Sequence, residues 1–176
     1  AKSTDNVEAY QTYLKGRALL YQRGPSVPLA LQQFQKAVEL DPNYALAWAG
    51  IADVYTVMGY YGTVRPDDVR SRALEAAGRS IELDPDSAEA HTALASALLF
   101  YRGDPAGAER EFLKSLELNP NYVQGRCWYA LFYLQWTRGR FEEGLAEARR
   151  ALDSDPLSSY ALVILALCLG TAGHGE

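Results

Sequence analysis

Two cysteines, two histidines and 22 carboxylates are the side chains in this 176-residue chain with the chemistry for catalysis or metal binding. Cys127 and Cys168 stand alone, with no CxxC pair and no histidine near either in sequence, so neither a zinc spacing nor a disulfide framework is present. Each lies in an apolar run of helical character and reads as a buried free thiol. Unpaired thiols fit a reducing compartment such as the cytoplasm. His91 and His174 are framed by no HExxH, GxSxG or phosphate-cradling glycine loop. The carboxylates gather at helix ends or in "GRFEEGLAEARR". There Glu142, Glu143 and Glu147 lie near Arg149 and Arg150, in the pattern of an exposed helix face with i,i+3 and i,i+4 pairs. No two acids are brought to one cleft by any visible pattern. The expectation is no catalytic residue, no metal and no cofactor.

Composition narrows the class further. Apolar residues at 48% and charged residues at 22% describe an ordinary folded chain. A net charge of -5 with scattered cations argues against nucleic acid, since phosphate binding wants clustered Lys and Arg. The densest basic spot, "ARR" at 148–150, reads as a helix end whose cations complement the macrodipole. The longest apolar run, "ALVILALCLG" at 161–170, is about half of what a membrane span requires. The opening "AKSTDN" has neither the basic start nor the apolar core of a signal peptide, and no initiating Met. An excerpt from a longer protein is therefore expected.

The elements that must position these residues are marked by four prolines. "VELDP" ends at Pro42, "IELDP" at Pro85, "LELNP" at Pro120 and "LDSDP" at Pro156, with spacings of 43, 35 and 36. A period near 34 signals stacked helix pairs. Each proline follows an amphipathic stretch such as "ALQQFQKAVEL" and stops it, lacking an N–H and clashing with the preceding turn. Segments such as "NYALAW", "DSAEAH" and "NYVQGR" then begin the next helix.

Position by position, the pattern resembles the tetratricopeptide repeat. Helix A of the second repeat carries Trp48, Ile51, Ala52 and Tyr55, and helix B of the third carries Ala108, Phe112 and Ser115 before Pro120. The first repeat fits with Leu14, Ala18, Tyr21, Ala30, Phe34, Ala37 and Pro42, but has Arg17 at an apolar position. The fourth fits with Tyr129, Ala130, Tyr133, Ala148, Ala151 and Pro156, with Arg126 and Gly144 as departures. His91 falls at a large-residue position of helix A and reads as packed. Alanine fills the small position in all five copies, as Ala18, Ala52, Ala95, Ala130 and Ala166. A small side chain there lets helix axes approach closely.

The resemblance implies an all-α, right-handed solenoid of antiparallel helix pairs, with about four complete repeats and a fifth helix A. A linker at 1–6 would precede one array over 7–176, with repeats near 11–44, 45–87, 88–122, 123–158 and a partial 159–176. Excess residues over 34 are expected in the turns between helices A and B. A narrower likeness, carried by "AYQTYLKGRALL", "AEREFLKSLELNPNY" and "WYALFYLQWTRGRFEEGLAEARRALDSDPLS", is to the repeat regions of large bacterial signalling proteins. That likeness implies a regulatory or scaffolding region.

In the family, helix A residues line a concave groove. Transferred here, the groove would hold Lys15, Leu19, Asp53, Thr56, Ser96, Leu99, Phe100, Cys127, Leu131, Leu134 and Gln135, with Gln22 and Arg23 at the end of the first helix. The family's carboxylate clamp is absent: Leu19 and Gly50 replace asparagines, and Glu89 and Ala93 replace basic residues. The asparagine ladder of sugar-transferase members is also absent, its positions holding Gly16, Gly50, Ala93, Trp128 and Ile164. The groove turns apolar toward Phe100, Leu131 and Leu134, which suits a protein or peptide partner with apolar anchors. Tyr60 and Tyr61, in the inserted "GYYGTVRPDD", offer a loop contact. "CWYALFYLQW" should turn Tyr129, Phe132, Tyr133 and Trp136 to one core face. The helix at 159–170, apolar nearly all round, is expected to self-associate. Three functional readings remain open: an interaction scaffold, a module whose groove serves its own chain, and an accessory region presenting substrates to a fused enzyme.

Overall fold

Four helices end alike, and that ending builds the fold. Asp41, Asp84, Asn119 and Asp155 each close a helix in an extended conformation, with φ from -142° to -146° and ψ from 87° to 95°. The proline that follows steers its predecessor there. Each side-chain oxygen accepts the N–H two residues on, an Asx turn around the proline. Each main-chain carbonyl accepts the N–H of Tyr44, Ser87, Tyr122 or Ser158, where the next helix begins. The "ELDP" motif is thus a complete connector: it ends one helix, satisfies its carbonyls and launches the next.

The computed structural model describes residues 4–173, so His174 and residues 1–3 of the expected linker lie outside the described residues. The described residues form nine α-helices and no strand. Helices of type A are α1 (Val7–Gln22), α3 (Ala45–Tyr60), α5 (Ala88–Ala97), α7 (Val123–Trp128) and α9 (Ser159–Ala172). Those of type B are α2 (Val27–Leu40), α4 (Pro66–Leu83), α6 (Pro105–Leu118) and α8 (Phe141–Ser154). Where they are present, each A helix packs on the B helix of its own repeat, on the preceding B helix and directly on the neighbouring A helices. The result is a helical-repeat solenoid with the A helices on its inner side. Thr4 and Asn6 are tied to the end of α2, through the Asp41 carboxylate and the Leu40 carbonyl.

The repeated alanine works where a neighbour exists. Ala52, Ala95 and Ala130 are fully buried, whereas Ala18 and Ala166, in the first and last helices, are exposed. A second small position recurs in the same register. Gly16 and Gly50 flank Phe34, whose ring would lie 2.7 Å from a Cβ at either site. Phe34 is completely buried between α1 and α3 because both helices omit a side chain there.

A further repeated device explains the departure at Arg126. Trp48 Nε1 donates to the Pro42 carbonyl at 2.9 Å, and Arg126 Nη2 donates to the Pro120 carbonyl at 2.6 Å. His91 Nε2 lies 2.8 Å from the Pro85 carbonyl, and its Nδ1 lies 2.6 Å from Glu111 Oε2. At three of the four connectors that helix A position supplies an N–H donor, as Trp, His or Arg, whereas Leu162, the same distance after Pro156, supplies none.

The excess residues depart from the expected turns. In the second repeat α3 continues five residues past Tyr55, where α1 continues one past Tyr21. Helix α4 begins seven residues before Ala73, where α2 begins three before Ala30. Most of the insertion therefore lengthens the pair of helices by about a turn each. In the third and fourth repeats the extra residues widen helix A itself: Leu98–Arg102 continues α5 as a π-helix and Tyr129–Thr137 continues α7 likewise. A π turn bonds i to i+5 and so absorbs an added residue without leaving the helix. Burying the new residues inside a helix keeps their backbone groups bonded, which a longer loop would not.

Candidate functional site

The inner face closes on itself. Gln124 at the start of α7 reaches past α5 to Asp53 on α3, donating from Nε2 to Oδ2 at 2.7 Å. Arg17 on α1 faces the same carboxylate oxygen at 3.9 Å. Farther along, Tyr21 near the end of α1 meets Tyr160 at the start of α9, their ring centroids 6.1 Å apart. The array curls until its first and last A helices touch.

This curl fills much of the expected groove with its own side chains. Asp53, Thr56, Ser96, Cys127, Leu131, Leu134 and Gln135 are buried; Leu19, Leu99 and Phe100 are half-buried, and Lys15 is exposed. Gln135 ties three helices together: its Nε2 donates to the Phe141 and Cys168 carbonyls at 3.2 Å each, and its Oε1 accepts from Thr171. Gly144 makes room for it, since a Cβ there would strike the Gln135 side chain. Burial pushes the Cys127 thiol up to about 12 and the Cys168 thiol up to about 11, so both stay protonated at neutral pH. Burial likewise pushes the Asp53 carboxyl up to about 7, against the opposing pull of Arg17 and of the Gln124 hydrogen bond. Among the described residues, Asp53 Oδ1, Gln124 Oε1 and Thr56 Oγ1 are buried without a hydrogen-bond partner.

What stays open is a cleft of about 500 Å³ between the ends of α1 and α3, the body of α7 and the first turns of α9. Its floor is Trp128, Leu131, Phe132 and Ile164, and its walls carry Tyr21, Tyr60, Tyr61 and Tyr160. Exposed apolar side chains ring the mouth: Leu157, Val163, Leu167 and Tyr61. A volume in this range is that of a pocket able to enclose large side chains.

The insertion builds one wall of the cleft. Tyr60 is the last residue of the lengthened α3 rather than a loop residue, and Tyr61 follows it. Tyr60 stacks on Trp136 with centroids 5.4 Å apart and packs on Phe132 at 5.5 Å, while Tyr61 meets Tyr60 edge-on at 4.7 Å. The π segment supplies the other half of this contact. Tyr129 and Tyr133 face Phe112 of α6. Phe132 and Trp136 turn instead toward Tyr60, so the four aromatics do not share one face. The wider i to i+5 turn changes the angular step per residue and splits the expected stripe in two.

One charged side chain in the cleft is held in an unusual way. Arg23 has φ 60° and ψ -167°, a combination that is essentially a glycine conformation and costs on the order of 1–3 kcal/mol for other residues. Its guanidinium lies over the Tyr160 ring, 4.9 Å from the centroid. Tyr160 is itself fixed, its hydroxyl accepting from Trp128 Nε1 at 2.6 Å.

The expected groove thus divides. Asp53 joins a polar strut with Arg17 and Gln124, while Leu131 and Arg23 join the cleft together with the expected loop contacts Tyr60 and Tyr61. Tyr160, Trp128 and Ile164 were not among the expected groove residues. Trp128 and Ile164 stand at asparagine-ladder positions, so two large apolar residues at ladder register were the available signal.

Comparison with known proteins agrees with this geometry. The tetratricopeptide-repeat profile matches residues 70–123 and 129–173, more than half of the chain. The chain belongs to the tetratricopeptide-repeat family. Among solved structures, this repeat array is similar to TTC0263, a thermophilic tetratricopeptide-repeat protein of Thermus thermophilus. The two share 22% identity over 94% of this chain and 83% of that one, with a TM-score of 0.70. It is also similar to part of IFIT1 in a monomeric mutant bound to m7Gppp-AAAA, at 22% identity, 96% and 37% coverage and a TM-score of 0.72. A third likeness is to an O-GlcNAc transferase mutant of Thermobaculum terrenum, at 20% identity, 85% and 27% coverage and a TM-score of 0.60. These likenesses bear on the fold alone, a helical-repeat array. Among the described residues, no helix is long and apolar enough to cross a membrane.

Proposed function

We propose that this repeat array is a protein-interaction scaffold that takes a peptide, or an exposed segment of a partner protein, into the cleft between α1, α3, α7 and α9. The observation that carries this reading is the coincidence of a pocket lined by aromatics with a rim of apolar side chains left in water. Leu157 is 93% exposed and Val163 56% exposed at that rim. Exposed apolar groups around a preformed pocket are the usual mark of an interaction site, and buried aromatics are the usual anchors. Two of the array's irregularities, the lengthened α3 and the π segment of α7, converge on this cleft. Such π segments are frequent at functional sites.

The test is to pan a display library of random dodecapeptides on the array and measure the isolates by fluorescence polarisation. Binding should fall at least tenfold, about 1.4 kcal/mol, in Val163→Glu, with an unchanged circular dichroism spectrum. Isolates that bind wild type and Val163→Glu equally would overturn the assignment of the cleft.

A second reading is favoured by the strut of Arg17, Asp53 and Gln124, which occupies the polar part of the expected groove with the array's own side chains. On this reading the curl is the product, and the array is a rigid spacer within a larger bacterial signalling or regulatory protein. Its test is the mass of the native product: a mass near 19.4 kDa would contradict it.

A further inference from the structure

We propose that Arg23 is the carboxylate receptor of this cleft, and that the segment it selects carries an aspartate or glutamate beside a large apolar side chain. The proposal deepens the peptide-binding reading and rests on it. Its ground is what surrounds the guanidinium. Among the described residues, two charged ones line the cleft, Arg23 and Asp155. Asp155 serves the connector, where its Oδ1 accepts the Leu157 N–H at 3.2 Å. Arg23 serves nothing comparable: among the described residues its side chain has no hydrogen bond and no ion pair, and its Nη1 is buried without an acceptor. A buried donor left unpaired is costly, and native structures rarely keep one without a reason.

The backbone sharpens the point. Arg23 occupies a glycine-only conformation, and Gly24 follows directly. A glycine at 23 would remove the strain, yet the chain holds an arginine there and fixes its head group over Tyr160. Strain retained at one residue, with its side chain aimed into a pocket, is the pattern of a ligand clamp. A guanidinium stacked on a ring keeps its N–H edge free for the fork of a carboxylate, the pairing in which arginine is strongest. The neighbouring floor of Trp128, Leu131, Phe132 and Ile164 then takes the apolar side chain. With the protein at net charge -5, long-range attraction does not bring an acidic segment in, so selection must come from this local contact.

The experiment pans the same dodecapeptide library, displayed both internally and with free C-termini, on wild type and on Arg23→Gly. The glycine variant suits the backbone and should melt no lower than wild type, so loss of fold does not cloud the result. Wild type should enrich Asp or Glu next to an aromatic or large aliphatic residue in the internal library. Arg23→Gly should keep the apolar preference and lose the acidic one. For the best isolate, changing its Asp to Asn should weaken wild-type binding roughly tenfold or more and leave the variant unaffected, the scale of a charge-assisted hydrogen bond. Isolates without acids, or equal acid enrichment by Arg23→Gly, would overturn the role of Arg23 while leaving peptide binding intact. Acid preference confined to free C-termini would overturn the side-chain carboxylate. No isolates at all would remove the peptide-binding reading itself.

Discussion

Replacing Asp53 by asparagine should make the array more stable at neutral pH and change it little in mild acid. Asp53 is 1% exposed, and its carboxyl is raised from 3.8 to about 7 in the fold. Between those values the folded protein holds a proton that the unfolded chain has released. The stability from this group is therefore fully present below about pH 4 and is lost as pH rises to about 7. At 1.36 kcal/mol per unit the loss amounts to about 2–4 kcal/mol across that window. Asparagine never carries the charge, keeps an oxygen for the Gln124 Nε2 donor, and leaves Arg17 its contacts with Tyr21. The two proteins should thus be closely matched near pH 4 and diverge by about 2–4 kcal/mol in favour of Asp53→Asn at pH 7 and above. Urea unfolding followed by circular dichroism across this range measures the difference directly. Parallel stability curves would refute the reasoning, because they would mean that Asp53 titrates alike folded and unfolded. A variant that lost ground with rising pH would show that Arg17 outweighs burial.

Substitutions at three other positions test the local structure. Gly50→Ala drives a Cβ to 2.7 Å from the enclosed Phe34 ring and should cost about 1–3 kcal/mol, outweighing its propensity gain. Gly78→Ala in α4 meets nothing within 4 Å and should instead raise the melting temperature by a few degrees, for a gain of about 0.5–1 kcal/mol. Arg126→Leu strips the Pro120 carbonyl of its donor, leaves the half-buried Glu147 with Arg150 alone and should cost roughly 2 kcal/mol, whereas Arg126→Trp should recover part of that by donating to Pro120 again. Finally, α9 leaves Leu162 and Leu169 each 50% exposed, and sedimentation should show concentration-dependent self-association that Leu162→Lys with Leu169→Lys abolishes. A wild type that stays monomeric at high concentration would remove that expectation.

The repeat was legible because its signals are local. The prolines and the preceding acid or asparagine each act within a few residues of where they are written, and the alanines recur at a fixed period. Three features were harder to read. The π segments at 98–102 and 129–137 consume extra residues inside a helix, and their sequence differs little from ordinary helix. Trp, His and Arg at 48, 91 and 126 look like unrelated choices until their shared acceptor, a connector carbonyl, is seen. The cleft depends on how tightly four repeats and a fifth helix A curl, and that curvature sums small rotations no single residue specifies. Hence Tyr21 and Tyr160 meet without any pattern linking them, and Arg23 reads as an ordinary helix end until its backbone angles and the ring beneath it are known.

The central claim is that ligands enter the cleft where the first and last repeats meet. Amide chemical-shift mapping with an enriched dodecapeptide tests it most directly. The account predicts perturbations concentrated at Arg23, Tyr60, Tyr61, Trp128, Tyr160 and Ile164, residues far apart in sequence. Perturbations confined to the outer helices α2, α4, α6 and α8, or to the exposed face of α9, would contradict it.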